Sequence, residues 1–136
     1  MKIKRIVLAA AVMTILVLAV PVLSGCGSVA KYSDPIAENL LVSMNNGDFT
    51  GFSKDFDANL RADVSEAVFN DFKTSLIGSL GKYIEGSKKM TGVNIENGIT
   101  TATYQADFEL QEDFQLRFVY QKIGGEMKLA GFWFDG

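Results

Sequence analysis

The stretch ITTATYQADFEL, Ile99 to Leu110, followed after three polar residues by FQLRFVYQKI, Phe114 to Ile123, decides the fold. Tyr104, Ala106, Phe108 and Leu110 fall on one face of an extended chain, and Thr101, Thr103, Gln105 and Asp107 on the other. That is the period of two of a strand covered on one side only. With Glu112 at the centre of the Gln111-Glu112-Asp113 connection, the opposed pairs are Leu110 with Phe114, Phe108 with Leu116, Ala106 with Phe118 and Tyr104 with Tyr120. Every pair is apolar or aromatic. The other face then sets Glu109 against Gln115 and Asp107 against Arg117, and a slip by one residue would mix the faces.

On either side of this hairpin stand two short turn signals, Asn97-Gly98 and Gly124-Gly125. They predict four strands over Lys88 to Glu96, Ile99 to Leu110, Phe114 to Ile123 and Glu126 to Phe134. Val93 and Ile95 join the apolar face. Strict alternation through the last turn adds Leu129 and Trp133 to that face, with Gly131 opposite Phe118. It leaves Ala130, Phe132 and Phe134 beside Val119 and Arg117 on the polar side, an apolar patch where water is expected.

Upstream the period is that of a helix. Asp34-Pro35 reads as an N-cap with proline at the first helical position, followed by Ile36, Leu40, Leu41 and Met44, and Asn45-Asn46-Gly47 stops the run. Asp48 caps a second, short helix with Phe49, Phe52, Phe56 and Leu60 on one face, an aromatic stripe suited to a core. Asp63-Val64-Ser65-Glu66 has capping-box spacing and opens a third helix that buries Val64, Val68, Phe72, Leu76 and Leu80 and ends at Gly81. Three helices on one face of a four-stranded antiparallel meander make an α+β domain.

The first 26 residues carry a different signal. Lys2, Lys4 and Arg5 precede an uncharged apolar run, Ile6 to Val22, and the run closes on Leu23-Ser24-Gly25-Cys26, which holds the only cysteine. This is the layout of an export signal, and the last four residues resemble a lipoprotein lipobox. The resemblance implies diacylglyceryl attachment to the Cys26 sulfur, cleavage before it, and a domain anchored to the extracytoplasmic face of the cell envelope. The alternative is an uncleaved membrane span, for which 18 apolar residues are just long enough. Residues 1-25 are therefore read as a signal peptide, 26-33 as a lipidated tether without periodicity, and 34-136 as the domain. Gly27, rather than Asp, after the cysteine carries no retention signal, which in a two-membrane cell points by analogy to the outer membrane.

Composition excludes more than it identifies. The net charge is −3 over 136 residues, and losing the three leader cations takes it to −6. Nucleic acid is not an expected partner for such a surface. The sequence has no histidine, which removes the usual imidazole base and the usual transition-metal ligand. The sole cysteine is committed to the lipobox, so no internal disulfide, metal site or cofactor is expected. Asp107 with Glu109, or Asp55 with Asp57, are the carboxylate pairs available for acid and base chemistry, but Asp107 is expected to face Arg117, and Asp55 and Asp57 to be surface charges. The reading is non-enzymatic.

Met44-Asn45-Asn46-Gly47-Asp48-Phe49, Phe52-Ser53-Lys54-Asp55-Phe56, Leu80-Gly81-Lys82-Tyr83 and the ending Leu129-Ala130-Gly131-Phe132-Trp133-Phe134 resemble domain of unknown function 3887, a family of small prokaryotic lipoproteins. The resemblance implies a cone-shaped fold similar to nuclear transport factor 2 and the cystatins, and no chemistry. It sharpens two expectations. A small apolar ligand would sit between helices and sheet against Tyr104, Phe118, Tyr120 and Trp133. Alternatively, Arg117, Val119, Phe132 and Phe134 on the open sheet face would dock a second copy or a membrane-associated protein. Ser87-Lys88-Lys89, the one basic run, reads as protection of a sheet edge.

Overall fold

A computed structural model describes residues 6–9 and 23–135, with side chains from Gly27 to Asp135. The chain is α+β. A four-stranded antiparallel meander runs through β2 (Lys89–Glu96), β3 (Ile99–Phe108), β4 (Gln111–Ile123) and β5 (Glu126–Asp135), and β1 (Ile6–Ala9) adds to the free side of β5. The helices are α1 (Leu23–Asn46), α2 (Phe49–Ser53), α3 (Ala58–Asp63) and α4 (Glu66–Leu80). Most of the expected leader, residues 10 to 22, lies outside the described residues.

Helix α1 begins eleven residues before the expected cap at Asp34, so the stretch read as a tether is helical. Val29, Ser33, Ala37, Leu40, Leu41 and Met44 are buried at helical spacing. Two small residues in that stripe hide its period from a reading based on bulk. Pro35 sits inside the helix on its exposed side, where the carbonyl it leaves without a donor can be hydrated. The end is as expected: Gly47 has φ +67°, its N–H donates to the Met44 carbonyl at 3.2 Å, and the Asp48 N–H donates to the Ser43 carbonyl at 2.9 Å. This is a Schellman motif.

The second predicted helix is two. Asp48 caps α2 by accepting from the Gly51 N–H at 3.0 Å, the chain turns, and Asp57 caps α3 by accepting from the Leu60 N–H at 2.8 Å. A Cβ on Gly51 would collide with Asp48 Oδ2 and come within 2.7 Å of Ser43 Oγ, so the close approach of cap and turn requires glycine there. Ser65 rather than Asp63 caps α4, accepting from the Val68 N–H at 3.2 Å, and Gly81 closes it with φ +76°.

The strand boundaries agree with the sequence to within three residues, and both two-residue turns have positive φ at each centre. Two registers differ. Tyr104 pairs with Leu116 and Ala106 with Phe114, four residues from the expected partners on β4, because the turn is Glu109-Leu110 and Leu110 is exposed. Parity is preserved, so the faces are correct. The tip is held by the segment after α4: the Leu110 N–H donates to the Leu80 carbonyl at 2.8 Å and the Glu109 N–H to the Lys82 carbonyl at 3.0 Å. Arg117 consequently lies opposite Thr103, and not Asp107.

The second difference reverses a face. Pairing of β4 with β5 starts in the expected register, Tyr120 with Leu129, then shifts so that Val119 meets Gly131 and Phe118 meets Phe132. Ala130 is the inserted residue of a β-bulge. Beyond it Phe132 and Phe134 point into the core, both 0% exposed, and Trp133 points out. Phe132 then closes an aromatic cluster with Phe52 at 5.6 Å, Phe72 at 5.7 Å and Phe56 at 6.0 Å between ring centres.

Two substitutions measure the face reversal. Phe132→Ala is expected to lower unfolding free energy by about 3 to 5 kcal/mol, the usual range for truncating a core phenylalanine. Trp133→Ala should cost distinctly less, since its half-buried ring lies on the outer face and stacks on Arg117 instead of filling the core. Denaturant titration of both variants checks the order, and equal losses would refute the bulge.

Candidate functional site

The residues expected to line a pocket are divided by the bulge. Tyr104, Phe118 and Tyr120 face inward with no exposure, and the Tyr104 and Phe118 rings meet edge-on at 5.7 Å. Trp133 is on the opposite face. The residues expected to form an interface are divided as well: Phe132 and Phe134 are in the core, whereas Arg117 and Val119 remain on the outer face beside Trp133 and Gly131.

Between α1 and the sheet lies a buried polar cluster that composition did not single out. The Tyr104 hydroxyl donates to Asp34 Oδ1 at 2.6 Å, and Ser33 Oγ lies 2.8 Å from the hydroxyls of both Tyr104 and Tyr120. Asp34 thus anchors a tyrosine instead of capping a helix. Burial, reinforced at Tyr104 by the hydrogen bond to Asp34, pushes both phenols well above their ordinary range. They hold protons firmly and cannot act as bases near neutrality. The cluster satisfies every hydroxyl it contains, which makes it a fastening for α1.

A second cluster ties α1 to the entry of β2. The Glu38 carboxylate accepts from the Tyr83 hydroxyl at 2.7 Å, the Lys88 Nζ at 3.0 Å and the Gly86 N–H at 3.0 Å. Burial alone would raise its pKa, but the bonds from Tyr83, Lys88 and Gly86, with the Lys88 charge, outweigh that and hold it below the usual carboxylate range. Lys88 also lies 5.8 Å from the centre of the Tyr104 ring. Of the basic run, therefore, Lys88 is engaged inside the fold, and Lys89 stands exposed at the start of the edge strand.

Three of the four carboxylates in these pairs, Asp57, Asp107 and Glu109, have structural partners. Asp57 is 4% exposed, not a surface charge, and besides capping α3 it accepts from Gln121 Nε2 at 3.0 Å. Asp107 accepts from the Asp113 N–H at 3.0 Å, and Glu109 from the Lys82 N–H at 2.8 Å. Asp107, Glu109 and Glu112 line a shallow surface cleft of about 440 Å³ with Ile84 and Leu110 at the β3–β4 tip. Among the described residues no group of three or more acidic, cysteine or histidine side chains is placed to hold a metal ion.

The outer sheet face is the region whose groups are not all accounted for. Arg117 donates from Nε to Asp135 Oδ2 at 2.9 Å and stacks 5.3 Å from the centre of the Trp133 ring. One row away, register places Asn94, Thr101, Val119 and Gly131 side by side across four strands. Thr101 and Val119 are 9% and 7% exposed, and Asn94 Nδ2 and Thr101 Oγ1 are buried without a hydrogen-bond partner among the described residues. Sequence reading placed Thr101 on this face but had no signal for its burial, since alternation reports direction and not cover.

No protein-family model matches the chain, and no curated protein does. The resemblance to domain of unknown function 3887 rests on the motifs alone. Among the described residues no helix is long and apolar enough to cross a membrane.

The Glu38 cluster gives a pH prediction. A carboxylate whose pKa is lowered by folding stabilises the native state above its unfolded value, near 4.5, and that contribution disappears as the pH falls through the lower folded value. Glu38→Gln should therefore destabilise the protein by about 1 kcal/mol at pH 7, after discounting for partial exposure. The gap to wild type should close in acid below the folded pKa. Urea unfolding followed from pH 7 down through the acid range measures it, and a gap that persists unchanged to the lowest pH at which the protein folds would exclude the charge as the cause.

Proposed function

We propose that the chain is a lipid-anchored, extracytoplasmic and non-enzymatic protein that works by association, with the outer face of its sheet as the contact surface. The leader pattern and Cys26 support the anchor. The observation that carries the contact surface is the unpartnered pair Asn94 Nδ2 and Thr101 Oγ1, side by side on the same face as Trp133 and Arg117. Folded proteins rarely leave such groups unpaired, and each uncompensated one costs about 1 to 3 kcal/mol. A protein partner that displaces the cover over these two atoms and supplies an acceptor to Asn94 and a donor or acceptor to Thr101 would recover that cost. The Trp133–Arg117 stack beside them is of the residue types that anchor interfaces.

The interior supports the non-enzymatic half of the reading. The positions that would line a ligand cavity are filled by aromatic rings or engaged in closed hydrogen bonds. A helix layer on one face of the antiparallel sheet leaves the other face for contact.

Two measurements test the proposal. Wild-type protein made in a bacterial host should carry a lipid-modified N-terminus at Cys26 by intact mass, and Cys26→Ser should keep the full-length mass. For the contact surface, a photo-crosslinking amino acid at Thr103, on the outer face, should give adducts that one at Glu66 does not. The double variant Asn94→Leu, Thr101→Val should abolish the adducts while leaving stability equal or higher, since it removes unpaired polar atoms. If that variant loses stability and keeps its adducts, the row belongs to the fold and not to an interface.

A further inference from the structure

We propose that the outer edge of β5, from Gly131 to Phe134, is a strand-pairing site that a second copy of this chain occupies through the same edge. The inference rests on the preceding reading in one respect, that the leader is removed from the mature protein.

The two edges of the meander are built differently. On β2 the strand opens with the exposed Lys89, carries a bulge between Met90 and Gly92, and ends at Glu96, the usual means of blunting an edge. On β5 the run Leu129-Ala130-Gly131-Phe132-Trp133-Phe134 holds no charge and no proline. Its lower part is covered: the Leu129 N–H donates to the Asp55 carbonyl at 2.7 Å, and the Asp57 N–H donates to the Leu129 carbonyl at 2.8 Å. Above Leu129 the only described partner is β1, with Ile6 opposite Phe134, Val7 opposite Trp133, Leu8 opposite Phe132 and Ala9 opposite Gly131. The site thus accepts an extended apolar segment in antiparallel register, and its occupant is the part of the chain that cleavage before Cys26 would remove. Four residues of unprotected ladder are left.

A second copy fits what is left. Two identical edges pair antiparallel about a two-fold axis, and opposed residues must share a sheet face, so the axis passes through Phe132 or Trp133. In the first register Trp133 covers Gly131 across the axis, and in the second the two indoles meet. No charges of like sign are opposed over the four residues. So short a ladder buries less than a standard interface, so the association is weak in solution, and confinement of both copies to one membrane raises their effective concentration.

Crosslinking in membranes tests this. In lipidated protein the Cys26 sulfur is blocked, so Trp133→Cys introduces the one free thiol, and two-fold-related residues at the axis lie about 5 to 8 Å apart. A short bismaleimide should convert most of the Trp133→Cys protein to a covalent dimer and leave Lys89→Cys, on the opposite edge, monomeric. The double variant Cys26→Ser, Trp133→Cys, which keeps β1, should not crosslink. Adding Val7→Pro and Leu8→Pro to it should restore the dimer, because one of those two N–H groups faces β5 and proline removes both. Absence of the Trp133→Cys dimer, or equal yields at Lys89→Cys, overturns the proposal. A full-length mass for wild type would refute leader removal, while the proline pair in the uncleaved chain still decides whether the edge self-associates.

Discussion

An exchange of two backbone hydrogen bonds between Leu129 and the Asp55–Asp57 turn governs the architecture. That exchange holds the last strand against the segment joining α2 to α3, with Leu129 buried beneath it. The strand can then continue past the turn only by adding a residue, and Ala130 is that residue. Every later side chain is reversed relative to simple alternation: Phe132 and Phe134 enter the core and Trp133 leaves it. Without the bulge, a glycine would stand where Phe132 meets Phe52, Phe56 and Phe72, and the largest aromatic cluster in the protein would lack its centre.

Polar groups fasten the same layers at their margins. Asp57 caps α3 and reaches Gln121 on β4, Asn45 exchanges two bonds with the Tyr83 backbone at 2.8 and 2.9 Å, and Ser33 with Asp34 receives the two core tyrosines. In each case one end of the contact is a short polar side chain on the helix layer and the other lies on the sheet or the loop feeding it. Aromatic packing supplies most of the burial and is tolerant of small shifts, whereas these directional bonds fix where α1 lies along the sheet. The inner side of the sheet is closed by this division of labour. The unsatisfied groups Asn94 and Thr101 lie on the other face, and the uncharged run of β5 lies at the lateral margin of the sheet.

Much of this was legible from residue order. The two-residue turns, the four strands, the Asn-Gly stop of α1 and the cap at Asp48 are each set within a few residues, where the backbone preference of glycine or the side-chain reach of aspartate acts directly. The misplaced start of α1 has an equally local reason, because Ser33 and Ala37 give a buried stripe without hydrophobic bulk. A hint of the bulge was also present: a glycine inside a strand pattern is a frequent sign of one, and Gly131 stands immediately after the inserted alanine.

Residue order was enough to settle the α+β class, the sequence of the four meander strands and the parity of β2, β3 and the first half of β5, since these follow from periodicity and from turns whose partners are neighbours in the chain. Long-range contacts settled which aromatics of the last strand are core, where the β3–β4 turn lies, and which carboxylates are bound. Most of those outcomes are fixed by a hydrogen bond to a segment 18 or more residues away, Leu110 to Leu80, Leu129 to Asp55, Gln121 to Asp57 and Arg117 to Asp135, while Asp107 is bound from Asp113 at a separation of 6. Alternation along one strand carries no information about a bond donated from another element, and a single such bond is enough to add a residue and turn every later side chain over.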